Sequence, residues 1–413
     1  MGNPLKNNLK KSAIRRSLLC VVLLALCGAA AAGTLVINAN TSDPAPRAAW
    51  EAAVQRFERE HPEVQVRLNI YDHESYKRAI RNWLTGAPPD IVFWFAGHRM
   101  RQFVTPGLLA DVSDLFTPAV RGALHPSAVD LVSASRRQYG VPYTYYPIGL
   151  YFRRDLMEAP RTWEELLAAC ERLKARGIEP IAIGTRDLWP TAAWFDYLNL
   201  RMNGFDFHME LMEGAIAYTD KRVRRVFAQW RMLLERECFS RNHASSSWQE
   251  SQALIYQGKS AMMLIGHYIV AQFPSEARPR MDFARFPDIG RDSGAFEEAP
   301  VNSIHIPARA RNPADARKFL RFVLRADVQE ALNKAMLQIP VNLKSAPADD
   351  RFVMIGQQHL AQAKALAQYF DRDTSEDLAQ IAMKGFQEFM LYPDRLDAIL
   401  DTIEQARRRI FRQ

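Results

Sequence analysis

The chain has 413 residues, 48% of them hydrophobic, and a formal net charge of +8, a composition that fits an ordinary globular protein and excludes a disordered or fibrous one. The charge does not argue for a nucleic-acid partner, because Lys6, Lys10, Lys11, Arg15 and Arg16 lie in a leader without acids whose removal leaves +3. No GxGxxG, GxSxG or HExxH pattern occurs and the histidines show no ligand spacing, so no cofactor, no metal and no catalytic activity is expected.

Residues 1–32 read as a signal peptide: the basic stretch is followed by the apolar run 18–26 and by the small residues 29–33, which places cleavage near Ala32 and export to the periplasm. The apolar run is about half the roughly 20 residues that a bilayer requires. A lipid anchor at Cys27 or Cys20 is disfavoured by Leu26 and Leu19 just before them, and the Arg15-Arg16 pair leaves a twin-arginine route open. Cys170 and Cys238 remain after cleavage, and the sequence leaves open whether they pair or stay as buried thiols. A mature chain of roughly 380 residues is too long for one hydrophobic core, so two domains are expected.

Residues 34–38 predict a buried strand, and Asp43, Pro44 and Pro46 introduce a helix carrying Trp50, Val54 and Phe57. Val64, Val66, Leu68 and Ile70 alternate with polar residues, the period-two pattern of a half-buried strand. Residues 86–89 break the chain before the apolar run 91–95, which reads as a fully buried strand. This βαβαβ order points to a mainly parallel sheet covered by helices. Further on, Thr162 with Glu165 predicts a capped helix stopped by Gly177, and 181–183 a strand. Helices are expected over 223–234 and 248–256, a strand over 261–265, a helix begun by Asn312 and Pro313, and a closing helix over 394–411.

The segment Gln257-Gly258-Lys259-Ser260 superficially suggests a phosphate loop, but Ala253 stands where the first glycine is required. More informative are aromatic residues at the ends of predicted strands: Tyr71, then Trp94 with Phe95, and Tyr268. In open α/β sheets ligands bind beyond the carboxyl ends of strands, and a ring there can lie against the C–H face of a pyranose for about 1 kcal/mol beyond burial.

Several segments together resemble the family 1 extracellular solute-binding proteins. They are Phe57-Glu58 with His61-Pro62, Gly86 to Asp90 with Ile91-Val92, Gly107-Leu108-Leu109-Ala110-Asp111, and Tyr139-Gly140-Val141-Pro142-Tyr143. Leu150-Tyr151-Phe152-Arg153-Arg154-Asp155, Pro160-Arg161-Thr162-Trp163-Glu164-Glu165-Leu166 and Tyr256-Gln257-Gly258-Lys259-Ser260-Ala261-Met262-Met263 with Gly266 continue the pattern. The resemblance implies an α/β, two-lobed type II periplasmic binding protein with a hinge and a ligand cleft between the lobes. It divides the chain into one lobe of 33–143 with 301–343 and another of 144–300 with 344–413. It further implies a monomer that closes on its solute and docks on the permease of an ABC importer whose ATPase is a separate chain.

Carried over residue by residue, the resemblance puts Tyr268 first among ligand contacts, with His267 beside it. Asn40 and Thr41 in the first loop, Trp94, Tyr145 and Tyr146 at a crossing, Trp189 and Trp194 in the segment 187–194, and Asn302 with Ser303 follow; Tyr71 joins them from its strand end. The expected ligand is a mono- or oligosaccharide. Phe152-Arg153 replaces the usual Tyr-Asn, and Tyr268 stands where Trp is common, so a polyamine, a glycerophosphodiester or a metal complex stays open, as does an exported glycan hydrolase. A tyrosinate pair for ferric iron is disfavoured, because adjacent strand residues face opposite ways.

Overall fold

The computed structural model describes residues 33–290 and 295–411; the expected leader and its cleavage site lie outside them. In chain order the principal strands are β1 (Leu35–Ala39), β2 (Val66–Ile70), β3 (Ile91–Phe95), β4 (Val141–Tyr145), β5 (Ile148–Arg153) and β6 (Glu179–Ile181). They continue with β7 (Ser260–Gly266), β8 (Met281–Ala284), β9 (Phe296–Glu298), β10 (Val301–His305), β11 (Ile339–Pro340) and β12 (Ala365–Ala367).

Two sheets organise two lobes. The first has the order β11-β4-β10-β3-β1-β2 and the second β8-β5-β7-β6. β1 pairs in parallel with β2 and β3, the βαβαβ start legible in the sequence, while β10 returns antiparallel between β3 and β4. The helix Pro44–Glu60 covers the first sheet with Trp50, Ala53, Val54 and Phe57. Trp50 meets Phe93 and Tyr143 edge-on at 4.6 and 5.0 Å. In the second lobe the helix Trp163–Ala175 starts where expected, with the Thr162 hydroxyl accepting from the Glu165 N–H. Trp163, Trp194, Phe195, Trp230 and Phe386 fill that lobe's core. Fully buried rings of this size each contribute on the order of 2–3 kcal/mol of transfer free energy.

Some local expectations need correction. The strand expected over 181–183 lies at Glu179–Ile181. Asn312 precedes its helix without capping it; its side chain instead donates to Asp90 and to the Thr34 carbonyl, tying that helix to the first sheet. Cys170 and Cys238 are both buried and both free thiols.

The chain passes between the sheets at several adjacent places. β4 ends at Tyr145 and β5 starts at Ile148, so Tyr146 and Pro147 make one crossing and Thr144 and Tyr145 still belong to the first sheet. A second crossing runs from β9 to β10. The two are bound together, since the Tyr146 N–H donates to the Pro300 carbonyl at 3.2 Å. Gln368, just beyond β12, accepts from the Val301 N–H and donates to the Ala299 carbonyl. Short crossings held side by side at the ends of strands are the kind of axis about which two lobes can hinge.

Beside that axis sits an unusual pair of acids. The Asp196 carboxylate accepts from the Phe370 N–H at 2.7 Å, and the Glu298 carboxyl adjoins Asp196 with no other partner among the described residues. Burial pushes Asp196 up to about 8 and Glu298 well above its ordinary value. His208, 4.0 Å away, supplies no counter-charge, because burial drives its imidazole down to about 3. Burial therefore keeps both carboxyls largely protonated, and so uncharged, at neutral pH.

Candidate functional site

Between the lobes lies a cleft whose empty volume, open solvent at its mouth included, is about 1050 Å³. Its first-lobe wall grows from the carboxyl ends of strands. Asn40 to Asp43 follow β1 directly, and Asp72 and His73 open the helix after β2. Phe95 closes β3. Asn40 and His73 lie 3.3 Å apart through their side-chain nitrogens. His73 is crowded by protein while its edge reaches the cleft, and desolvation, helped by Lys77, holds its imidazole well below the ordinary value. It is therefore neutral at pH 7, with Nδ1 accepting from the Asn40 amide and Nε2 left to donate. Asp43 stands at the start of the Pro44–Glu60 helix without capping it, and burial together with Asp72 raises its pKa.

The second-lobe wall is aromatic. Tyr268 lies two residues beyond the end of β7; its ring crosses so close over Gly266 that a Cβ there would collide with it. That ring meets Tyr146 at 5.5 Å and Trp248 at 5.4 Å, both edge-on. Trp189 continues the wall, 6.0 Å from Trp248 and 6.0 Å from Tyr369. Trp248 is placed by a capping box, in which the Ser247 hydroxyl accepts from the Glu250 N–H while Glu250 accepts from the Ser247 N–H. The Ser247 carbonyl packs so tightly on Gly184 that no side chain fits there.

Of the residues expected from the sequence, Tyr268, Asn40, Thr41, Tyr146, Trp189 and Asn302 line this cleft together. The others do not. His267 is fully buried, its ring nitrogen 2.9 Å from the Tyr151 hydroxyl, and burial lowers it to about 3. Trp94 turns away from the cleft, donating to the Arg99 carbonyl at 3.1 Å, and its strand neighbour Phe95 faces the cleft in its place. Tyr145 is buried in the core of the first lobe, with its hydroxyl 2.5 Å from that of Ser127. Tyr71 packs on Trp83 at 4.8 Å beside a shallow outer groove. Trp194 is core, edge-on to Phe239 and Phe286.

The sequence reading missed Asp43, Asp72, His73, Trp248 and the pair Asp371 and Arg372 as cleft residues. Trp248 carried a signal, the Ser-x-x-Glu box that starts its helix. The others carried none, because the fold alone brings residues near 372 to the loops after β1 and β2. No group of three or more His, Cys, Asp or Glu side chains suited to a metal ion occurs among the described residues.

Comparison with known proteins places this geometry. Residues 41–330 match the family described as bacterial extracellular solute-binding protein. The fold superposes with a TM-score of 0.88 and 28% identity on the bacterial solute receptor AcbH, covering 92% of this chain and all of the other. The ABC transporter extracellular-binding protein PH1214 of Pyrococcus horikoshii is 24% identical over 73% of this chain and 70% of its own length. A probable sugar-binding periplasmic protein of Rhizobium meliloti strain 1021 is 29% identical over 36% of this chain and 37% of its own. Two α/β lobes around a cleft, the type II periplasmic binding architecture, are shared with these structures, and the family is one of binders, not enzymes. This chain belongs to the bacterial extracellular solute-binding protein family.

Proposed function

We propose that the chain is exported to the periplasm, captures a carbohydrate in the interlobe cleft and delivers it to the permease of an ATP-driven importer. The observation that carries this reading is the pairing of two walls: Tyr268, Trp248 and Trp189 offer ring faces and edges, opposite Asn40, Asp43, Asp72 and His73, which offer hydrogen-bonding atoms. A sugar ring presents the matching surfaces, apolar C–H faces and a polar rim. AcbH, reported to prefer β-D-galactopyranose exclusively, lends support for a pyranose. A cleft with side chains from both lobes favours the closed form when filled, and that difference in affinity drives closure.

A second reading has one observation in its favour. Asp43, Asp72 and Asp371 outnumber Lys77 and Arg372 on the cleft surface, a balance that suits a polyamine. Thermal denaturation of the chain from Gly33 onward, against monosaccharides, oligosaccharides, polyols, polyamines and glycerophosphodiesters, separates the two. A ligand at a hundred times its Kd stabilises by about 2.7 kcal/mol. Stabilisation by a saccharide supports the first reading; stabilisation by spermidine or putrescine with silence from every saccharide replaces it with the second.

A further inference from the structure

Cys170 and Cys238 are both fully buried, and both belong to the core of the second lobe. Their side chains meet within hydrogen-bonding reach of each other, although the two residues stand far apart in the chain. The backbone on either side fixes that meeting. Cys170 lies on the core face of the helix Trp163–Ala175, with Leu166 and Leu173. Cys238 follows the helix Lys221–Glu235, which ends in a Schellman turn: Glu237 takes a φ of 50°, and the Cys238 N–H donates to the Leu233 carbonyl at 3.0 Å. The Cys238 carbonyl then accepts from the Ile181 N–H at 2.9 Å and the Ser240 N–H donates to the Ile181 carbonyl at 3.0 Å, so this segment runs beside β6. Residues flanking the two cysteines are paired as well. Arg236 Nε donates to Glu171 at 3.3 Å, and Lys174 Nζ donates to the Arg236 carbonyl at 2.7 Å and to Glu237 at 2.9 Å. Exposed pairs of this kind add little energy, but they hold the helix and the segment alongside each other on both sides of the thiols.

The roles open to two touching thiols can be narrowed by elimination. A metal centre needs further ligands, and no group of three or more His, Cys, Asp or Glu side chains completes one among the described residues. A redox-active dithiol needs an accessible thiolate of low pKa. Here neither side chain reaches solvent, and the Cys238 side chain and burial together hold the Cys170 thiol well above its ordinary value. Two inert thiols or a structural disulfide remain, and the compartment decides between them. The other two cysteines, Cys20 and Cys27, lie in the leader, so after cleavage these two have only each other, and an oxidising compartment links such neighbours.

Resting on the export proposed above, we propose that Cys170 and Cys238 are joined by a disulfide in the exported chain and that this bond is a structural cross-link of the second lobe. It closes a loop of roughly 70 residues that carries β6, both intervening helices and the core rings Trp194, Phe195 and Trp230. The bond forms by exchange with a disulfide-bearing oxidant. The thiolate of one cysteine attacks the oxidant's disulfide and releases one of its sulfurs, and the second cysteine then attacks the mixed disulfide and releases the other. Two S–H bonds become one S–S bond, and the oxidant leaves as a dithiol carrying the two electrons and both protons. Because the folded lobe shuts both sulfurs off from solvent, the exchange belongs to the folding chain, and the finished bond is closed to reductants.

Two arms test the assignment. In the first, the full chain with its leader is expressed in a bacterial host, and the periplasmic fraction is unfolded in guanidinium with a maleimide-linked polyethylene glycol before and after reduction by a phosphine. No adduct before reduction and two after it are expected; two adducts before reduction overturn the proposal. A chain that stays in the cytoplasm with its leader attached overturns the export reading, and the second arm then judges the thiol pair without it. In that arm the chain from Gly33 onward is unfolded, reduced and refolded either with oxidised glutathione or with reductant. The oxidised product is expected to be monomeric, lighter by two hydrogens and about 4–8 °C higher in melting midpoint than the reduced one. Persistent thiols, or a glutathione adduct on either cysteine, overturn the proposal; equal midpoints overturn the structural role. Cys170→Ala with Cys238→Ala is expected to melt alike after both treatments, and a difference that persists in it overturns the assignment to these two sulfurs.

Discussion

Replacing Asp196 by Asn probes the buried acid pair beside the crossings. In the native chain Asp196 titrates at about 8, against 3.8 for the exposed side chain. Between pH 6.5 and 8 the unfolded chain has already lost that proton, whereas the native chain still holds most of it. Native protein therefore binds more protons, and stability falls as pH rises through this window. Integrating the titration from pH 6.5 to 8 gives a loss of about 1.6 kcal/mol for one such group. Asparagine keeps an oxygen for the Phe370 N–H and carries no charge, so Asp196→Asn should gain on wild type by about that amount over the window. Glu298, raised well above its usual range, and Asp373, raised to about 7 by burial, keep a residual slope in the variant. Unfolded histidines are still half protonated at pH 6.5, so the buried ones add a slope of opposite sign, but they add it equally to wild type and variant and cancel from the comparison. Urea denaturation followed by tryptophan fluorescence at pH 6.5, 7.2 and 8 gives the comparison. Parallel stability profiles for wild type and variant would refute a protonated Asp196 in the native chain.

Below pH 6.5 the sign reverses. His208, His267, His305 and His359 are held down to about 3 or 4 by burial, so the unfolded chain takes up protons that the native chain refuses, and denaturation midpoints should drop as pH falls from 6.5 to 5. Gly184→Ala should cost about 1–3 kcal/mol through overpacking against the Ser247 carbonyl, measurable by chemical denaturation, and should also weaken ligand binding by displacing Trp248. Ser247→Ala removes one half of the capping box and should cost about 1 kcal/mol; an unchanged denaturation midpoint would show that the cap is not supporting the Trp248 helix.

Much of the fold was legible because its signals are local. The Thr162 cap, the apolar run of β3 and the bounds of the Trp248–Tyr256 helix depend on residues within a few positions of each other. Site membership was harder to see. β3 is buried on both faces, so no alternation tells that Phe95, and not Trp94, faces the cleft. Trp189 and Trp194 lie close in sequence, but the helix beginning at Pro190 carries Trp194 into the core while Trp189 stays outside it. Pairing Tyr145 with Tyr146 failed because the strand ends between them: Tyr145 stays in the core of the first lobe, while Tyr146 lies in the crossing and reaches the cleft. Arg372 could not be read at all: its meaning comes from Phe95 and Tyr146, which only the assembled lobes place around it.

The most direct test of the account is a calorimetric titration of the sugar that most stabilises the protein into wild type and Tyr268→Ala. One sugar per chain in wild type, with binding lost or weakened by at least about tenfold in Tyr268→Ala, is the predicted result. Unaltered affinity in Tyr268→Ala, or no binding heat from any saccharide, would contradict a carbohydrate held between the aromatic wall and the first-lobe loops.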